Sequence, residues 1–547
     1  MPVAQRWWGW GSADKHASLE DHPALGPFLD AHVGPAARPV PVPSLDTIHL
    51  PRSKATRTLL ADLSRALTSS QIQTDAFARL THAMGKAYTD LMRLRLNAVR
   101  TAPDVVVLPA SDDQVERILA YAERHQVAIV PFGGGTTVTQ AVESPRALNL
   151  CLDLGQMQGM HSLDETSHLA EFGAGTLGPQ LEQMLQAKGF TLGHYPQSFE
   201  CSTVGGWIAS RSSGQNSIGY GRIEDLVYDM RVLTPAGPMD IGRAPASAAG
   251  PALKEVFLGS EGTLGIITQA TLRIRPRPES RDYRAFFFHS FEEGVQAVRG
   301  LMQNGPRPAL ARLSDADETR AGLALSRRPS STLAAVVRRA GLAFVPRLGY
   351  PRASAALLIL GYEGEAGRVS ADAGRSRHEM ERAGAFYLGT SPGRDWLRDR
   401  FHHPYLRDVF LDRGLMVDTF ETATRWSEIL PLHRELSEAA RQALGERSYV
   451  MCHVSHAYET GASLYFTFLA PQDSADPLGQ WQRAKKAVTD RIMNLGATLT
   501  HHHGIGRSHA PWLKAEVGPA GYQLLLAVKH HVDPQNILNP GVMWKPR

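Results

Sequence analysis

Cysteine is scarce: the 547 residues hold three, Cys151, Cys201 and Cys452. An odd, widely spread set without metal-ligand spacing excludes a disulfide framework and predicts a reducing compartment with three buried thiols. Nowhere do about 18 apolar residues run together, so no membrane span is expected. The opening MPVAQRWWGWGSADKH lacks the apolar run of a signal peptide, and the ending Trp544-Lys545-Pro546-Arg547 is not a Ser-Lys-Leu type of peroxisomal address. Charge of one sign is also missing, since 58 Lys and Arg against 54 Asp and Glu leave +4. That balance gives no general case for nucleic acid. A cytoplasmic protein, soluble or peripheral, is expected, and the Ala- and Arg-rich texture suggests a bacterial source.

What is present is a globular composition, 43% hydrophobic, 20% charged and 7% aromatic, on a chain long enough for two or three domains. Residues 1–100 carry Pro- and Gly-rich pieces and then AFARLTHAMGKAYTDLMRLRLNAVR, whose apolar spacing predicts a leading helical segment. Over 101–278, VVVLP, DDQVERILAYAERHQ and VAIVPF read as strand, helix, strand. NLCLDL, a helix LGPQLEQMLQAKG closed by Gly189, a long Gly/Ser-rich stretch, and the strands DLVYDMRVLTPAG and GIITQATLRIRPRP follow. Pro276 and Pro278 mark an edge. Over 279–500, YRAFFFHSF, EEGVQAVRGLMQNG, ALARLSD, a long helical region, AALLILGYEG and GRSRHEMERAGA predict an antiparallel sheet with helices on one face. MVDTFE, YVMCHVSHAY and ASLYFTFLA add strands, and THHHGIGR leads into a last segment, 501–547. The expected class is α+β.

VAIVPFGGGTTV sets Gly133, Gly134 and Gly135 directly after an apolar strand. Without a Cβ, successive backbone N–H groups can turn toward one anion, for which a diphosphate is the natural guest; a plain tight turn suits a lone triplet equally well. PQSFECSTVGGWIASRSSGQNSIGYGRIEDLV is a polar run of roughly thirty residues, longer than an ordinary loop. FLGSEGTLGIIT adds Gly259, Gly262 and Gly265. Three such elements in one α/β domain argue for a large phosphorylated cofactor.

PFGGGTTV, STVGGWIASRSSG, GRIEDLV and GSEGTLGIIT, in this order, resemble the FAD-binding half of the vanillyl-alcohol oxidase flavoprotein superfamily. With WWGWG, PDVVVLP, MVDTFET, GASLYFTF, THHHGIGR and VDPQNILNPG added, nearly the whole chain resembles the alkyldihydroxyacetonephosphate synthase family, the ether-lipid enzymes. The resemblance implies a two-subdomain FAD-binding domain of the vanillyl-alcohol oxidase type, an α+β cap domain with an antiparallel sheet, and a C-terminal segment returning to the flavin. It implies FAD contacts from Phe132, Gly133, Gly134, Gly135, Thr136, Thr137 and Val138, and from Gln197, Ser198, Ser202 and Thr203. Ser210, Arg211, Ser213 and Gly214, and then Glu261, Gly262, Thr263, Leu264, Gly265, Ile266 and Ile267, complete the set. Relatives that tether their flavin use a histidine or cysteine in the glycine loop or a cap residue. The loop here offers Thr136 and Thr137, so FAD is expected to be non-covalent.

His501, His502 and His503 are side chains able to exchange protons near neutral pH. In an extended segment one or two of the three, not all, would face one pocket. Consecutive histidines do not readily share one ion, and no metal is expected. In GASLYFTF, alternation sends Leu464 and Phe466 to one face and Tyr465 to the other. A buried tyrosine is ordinarily a packed ring, but the resemblance makes Tyr465 the acid/base at the flavin and the histidine run and Arg312 necessary for activity. Two positions depart from the family. His453 stands where the family has an arginine thought to grip the substrate phosphate, and Gln197 replaces an aspartate beside FAD. Histidine lacks the permanent bidentate fork of arginine, though His456, further along the strand, would help if both point inward.

From Thr319 to Tyr362 there is no acidic residue, while Arg320, Arg327, Arg328, Arg338, Arg339, Arg347 and Arg352 interleave with LAAVV and LAFV. Such a stretch is either lipid-facing or a solvated helix face. The matched family region borders a lipid tunnel, which favours a membrane-surface contact through residues 319–352. The resemblance implies an FAD-dependent transferase that exchanges the acyl group of acyl-dihydroxyacetone phosphate for a fatty alcohol through a flavin N5 adduct, without net redox. Its partner is a lipid-like small molecule, not nucleic acid, and a homodimer is left open. The rival is an FAD-dependent oxidase or dehydrogenase of a 2-hydroxy acid or alcohol, which His453 keeps alive.

Overall fold

A computed structural model describes residues 5–36, 38–326, 349–351 and 353–544. Most of the proposed membrane stretch, 327–348 and Arg352, lies outside the described residues; of its arginines, Arg320 is described and pairs with Asp317.

The first half is built on two sheets. Val105–Val107, Asn149–Asp153 and Ala128–Phe132 run parallel, with Ile72–Gln73 antiparallel on one edge. The connecting helix Asp112–His125 starts where the Ser111 side chain accepts from the Gln114 N–H, carries Asp112 and Asp113 in its first turn, and ends at Gln126 in a left-handed conformation. Its Val115, Ile118, Leu119 and Ala122 stripe is buried. Beside it, five antiparallel strands follow the order Met160–Asp164, Leu169–Gly173, Ile266–Arg273, Val227–Thr234, Gly237–Ile241. The chain's end returns here: Ile129 donates its N–H to Ile537 and accepts from the Asn539 N–H, which sets VDPQNILNPG against the strand leading into the glycine loop.

The second half is a seven-stranded antiparallel sheet in the order Phe386–Gly389, Ser280–Phe288, Ala356–Gly364, Leu310–Ser314, Tyr449–Ala457, Gly461–Pro471, Leu415–Arg425. Side chains alternate across it. Phe286, Phe288, Leu358, Leu360, Leu464, Phe466 and Phe468 join one core with the apolar stripes of Phe291–Asn304, Ala366–Arg382 and Ile429–Leu444. The opposite face, carrying Tyr283, Leu310, Arg312, Ile359 and Tyr465, turns toward the first half. The expected α+β class, the antiparallel sheet and its packing helices are present, and all three cysteines are buried and free.

Four details differ from the sequence expectation. The leading helical segment is two helices, Ala76–Thr81 and Tyr88–Arg95. They part at Gly85, where a Cβ would meet the Thr137 carbonyl oxygen at 2.5 Å, so the chain bends to let the glycine loop pass. The strands Met160–Asp164 and Phe386–Gly389, absent from the sequence expectation, have no fully buried position and hence weak patterning. The trihistidine segment is a run of bends, not an extended strand.

Candidate active site

A cavity of about 1560 Å³ lies between the glycine loops of the first half and the open face of the seven-stranded sheet. On the loop side the backbone makes the wall. A Cβ on Gly134 would fall 1.7 Å from the Cys201 carbonyl oxygen, and Gly135 has φ +62°. The N–H groups of Gly134, Gly135 and Thr136 reach no acceptor among the described residues. Asn539 Oδ1, which also borders the cavity, is buried without a partner. Buried polar groups left unpaired are costly, so this wall is complementary to a polar guest. Its size, its free donors and its glycine approach fit FAD.

All of Phe132 to Val138 line the cavity, as do Gln197, Ser198, Ser202, Thr203, Ser210, Ser213, Glu261, Gly262, Gly265 and Ile267. Five of the residues carried over for FAD do not. Arg211 caps a helix in a left-handed conformation and pairs with Glu255; Gly214 packs on the Tyr195 N–H; Thr263 bonds the Ser260 carbonyl; Leu264 and Ile266 are in the core. These positions hold the shape of the wall from behind. Gln197 donates to the Arg400 carbonyl at 2.5 Å and accepts from Gln215 at 2.8 Å. Burial lifts the Glu261 carboxyl to about 7 against the N–H groups of Gly506 and Ile505, which donate to it at 2.7 and 2.6 Å.

On the sheet side, register does the assembly. His453 pairs across the strands with Ser314 and Tyr465, and Tyr465 pairs with Glu421, so Arg312, His453, Tyr465 and Glu421 share one face and nearly one row. Alternation therefore places Tyr465 opposite Leu464 and Phe466, which are in the core. Glu318, three residues past the Asp315 cap of Ala316–Ala324, accepts from Arg312 Nη2 at 2.9 Å and from His453 Nδ1 at 2.8 Å. Arg312 Nη1 lies 2.9 Å from His453 Nε2. A guanidinium can only donate, so His453 Nε2 accepts and Nδ1 carries the proton given to Glu318. Burial opposes the Glu318 charge, yet the Arg312 guanidinium and the hydrogen bond from His453 Nδ1 hold its carboxyl below the usual range. Burial also keeps His453 below its ordinary range, ahead of the Arg312 charge, and it is a neutral ring.

The histidine run wraps one carboxylate. Glu421 accepts the backbone N–H groups of His501, His502 and His503 at 2.6, 3.2 and 3.1 Å and the Thr500 hydroxyl at 2.5 Å. That wrapping is why the segment is bent where extension was expected. His502 and His503 border the cavity, while His501 turns to the Tyr458 hydroxyl at 2.7 Å. Burial alone would raise Glu421, but the three N–H groups and the Thr500 hydroxyl aimed at it keep its carboxyl below the usual range. Burial lowers His502, and lowers His503 to about 3. Burial pushes Tyr465 up to about 12 despite the Thr419 hydroxyl and the Arg407 charge. Near neutral pH the face therefore presents a phenol that keeps its proton beside imidazoles that stay neutral.

His456 also borders the cavity, but it joins the run and not His453: its Nδ1 meets Ser217 Oγ at 2.8 Å and its ring stacks on His501. It too is held neutral by burial, so neither His453 nor His456 brings the cation that an arginine would. His456, His501 and His502 set ring nitrogens within 4.8 Å of one another, a trio that reasoning about consecutive histidines could not weigh. Sequence reasoning missed Glu318, Glu421 and Thr419; Glu421 stood in the quoted motif MVDTFET without a signal that it would anchor residues eighty positions away.

Residues 103–239 match the family described as "FAD binding domain" and residues 277–543 match "FAD linked oxidases, C-terminal domain". An alkyldihydroxyacetonephosphate synthase from Trypanosoma brucei brucei is 35% identical over 500 residues, which span 90% of this chain and 81% of that protein. One from Dictyostelium discoideum is 32% identical over 539 residues, 97% of this chain and 85% of that protein. A solved alkyldihydroxyacetonephosphate synthase structure superposes with a TM-score of 0.84 at 30% identity, over 99% of this chain and 97% of that one.

Proposed function

Because the chain belongs to the alkyldihydroxyacetonephosphate synthase family, we propose that it replaces the acyl group of an acyl-dihydroxyacetone phosphate by a fatty alcohol, with FAD bound between the two halves. The observation that carries this reading is a polarity gradient on the sheet face. From the row of His453, Tyr465 and Glu421, two residues along each strand bring Met451, Thr467 and Thr419, and two more along the last two strands bring Leu469 and Val417. There the cavity opens into an apolar branch with Leu25, Phe28, Leu325 and Phe410. A molecule with a polar reacting end and a long alkyl chain matches that gradient, and a small 2-hydroxy acid would leave the branch unfilled.

Held by the Gly133–Gly135 loop, FAD would supply an electrophilic ring nitrogen to a substrate carbon that has given up a proton, without net electron transfer. The chain's own residues manage the protons and charge. Tyr465 Oη can donate a hydrogen bond to the departing carboxylate oxygen, and the neutral rings of His502 and His503 can accept one from the entering alcohol. Glu318 and His453 fix the Arg312 guanidinium on the cavity wall, where it stabilises developing negative charge. The glycine wall and apolar branch keep water from competing with the alcohol.

Incubation with palmitoyl-dihydroxyacetone phosphate and labelled hexadecanol, without any electron acceptor, should yield label in ether linkage and stoichiometric free palmitate. Label recovered only as unreacted alcohol would refute the transferase reading. No helix among the described residues is long and apolar enough to cross a membrane. The proposed surface contact through 319–352 is tested by flotation with anionic vesicles, where a chain lacking that stretch should stay at the bottom of the gradient.

A further inference from the structure

Arg400 is 8% exposed and borders the cavity, yet its charge is poorly answered. Among the described residues its guanidinium makes one long hydrogen bond, from Nη1 to Asn216 Oδ1 at 3.3 Å, and its Nε is buried without a partner. The carboxylate that faces it, Glu363, is already taken: it accepts from Tyr283, Tyr220 and Asn216 and sits 3.4 Å from Arg281. Two guanidinium groups thus share one carboxylate and leave a positive charge over. The faces of Tyr195 and Phe401, 4.4 and 4.8 Å from the Arg400 carbon, soften that burial without neutralising it. Two residues on, His402 Nδ1 is also buried, unpartnered and at the cavity. A desolvated guanidinium with free donors is costly unless an anion completes it.

Its position suits one anion in particular. Asn216, which Arg400 touches, bonds Tyr283, whose strand pairs it with Gly361, and Gly361 pairs with Leu310. Leu310 lies beyond Arg312 in the direction away from Glu318, whereas the apolar branch lies on the Glu318 side. Alkyl chain and charge therefore sit on opposite sides of the catalytic row. We propose that Arg400, with His402 beside it, is the subsite for the phosphate monoester of the substrate, supplying the cation that His453 does not. This deepens the transferase reading and rests on it for the identity of the substrate; the presence of a phosphate subsite does not.

Two measurements separate those claims. Dihydroxyacetone phosphate and inorganic phosphate are titrated by calorimetry into flavin-loaded wild type and into Arg400→Gln and Arg400→Lys. Wild type should bind both saturably, Arg400→Gln about 10- to 100-fold more weakly, the scale of a lost charge-assisted contact, and Arg400→Lys in between. KM for palmitoyl-dihydroxyacetone phosphate should rise in the same order, with no such rise for the phosphate-free ester and with stoichiometric flavin retained. Undiminished phosphate binding by Arg400→Gln, absence of binding by wild type, or equal losses with and without the phosphate group would each overturn the subsite. Loss of FAD from a folded Arg400→Gln or Arg400→Lys would assign the charge to the cofactor and overturn it as well. If phosphate binding follows Arg400 but no ether product forms, the subsite stands and the transferase reading falls.

Discussion

The two walls of the cavity are made of different material. The flavin-side wall is backbone: glycines approach other backbone so closely that a Cβ has no room, and its donors are peptide N–H groups. The opposite wall is side chain: Arg312, His453, Tyr465 and two histidines are delivered by strand register and by a loop folded round the Glu421 carboxylate. A backbone wall binds by shape and tolerates no added atom, whereas a side-chain wall can lose one group and still hold its guest. Substitutions on the first should abolish occupancy, and substitutions on the second should spare occupancy and cost rate.

The largest effect is expected at Gly134. Gly134→Val would drive atoms into the Cys201 carbonyl, and the protein should purify folded but colourless; a full flavin absorbance per chain would break the contrast between the walls. Tyr465→Phe should keep stoichiometric flavin and lose roughly 100-fold in kcat, the usual scale for a positioned acid or base. A near-normal rate would reduce Tyr465 to packing. Glu421→Gln removes the anion that gathers three N–H groups, and a fall in kcat of about tenfold with flavin retained is expected from misplaced His502 and His503. Glu318→Gln leaves Arg312 less firmly held, so a several-fold fall in kcat with flavin retained should follow.

The smallest effect concerns pH. With His502 and His503 lowered and Tyr465 raised, kcat should be flat across neutral pH. Stability should not be. His194, His503 and His509 are each depressed to about 3 by burial, so below about 6.5 the unfolded chain binds protons that the folded chain refuses. Stability is then lost progressively as pH falls through that window. Denaturant midpoints measured from pH 8 to pH 4 that did not fall would contradict the neutral, buried histidines.

The same contrast explains what could be read from sequence. A backbone wall leaves its mark locally, because a glycine run after an apolar strand is required at the place where it acts. Gly133 to Gly135 and the loop after Pro196 were legible for that reason. The side-chain wall is spread over residues 312 to 503, and period-two alternation could place Tyr465 on its face without saying what stood next to it. Glu318 and Glu421 look like ordinary acidic residues near a helix start and in a strand. His456 was paired with His453 along the chain, while the fold pairs it with His501 across it.

The central claim is that this cavity moves an alkyl chain and leaves the flavin's oxidation state unchanged. Anaerobic mixing of the flavin-loaded protein with palmitoyl-dihydroxyacetone phosphate and then hexadecanol, followed by flavin absorbance, tests it directly. The expected result is a transient loss of the oxidised spectrum on the first addition and its full return on the second, with no acceptor present and one ether product per turnover. Lasting bleaching that only oxygen or an electron acceptor reverses, above all with a simple 2-hydroxy acid as the reductant, would contradict it.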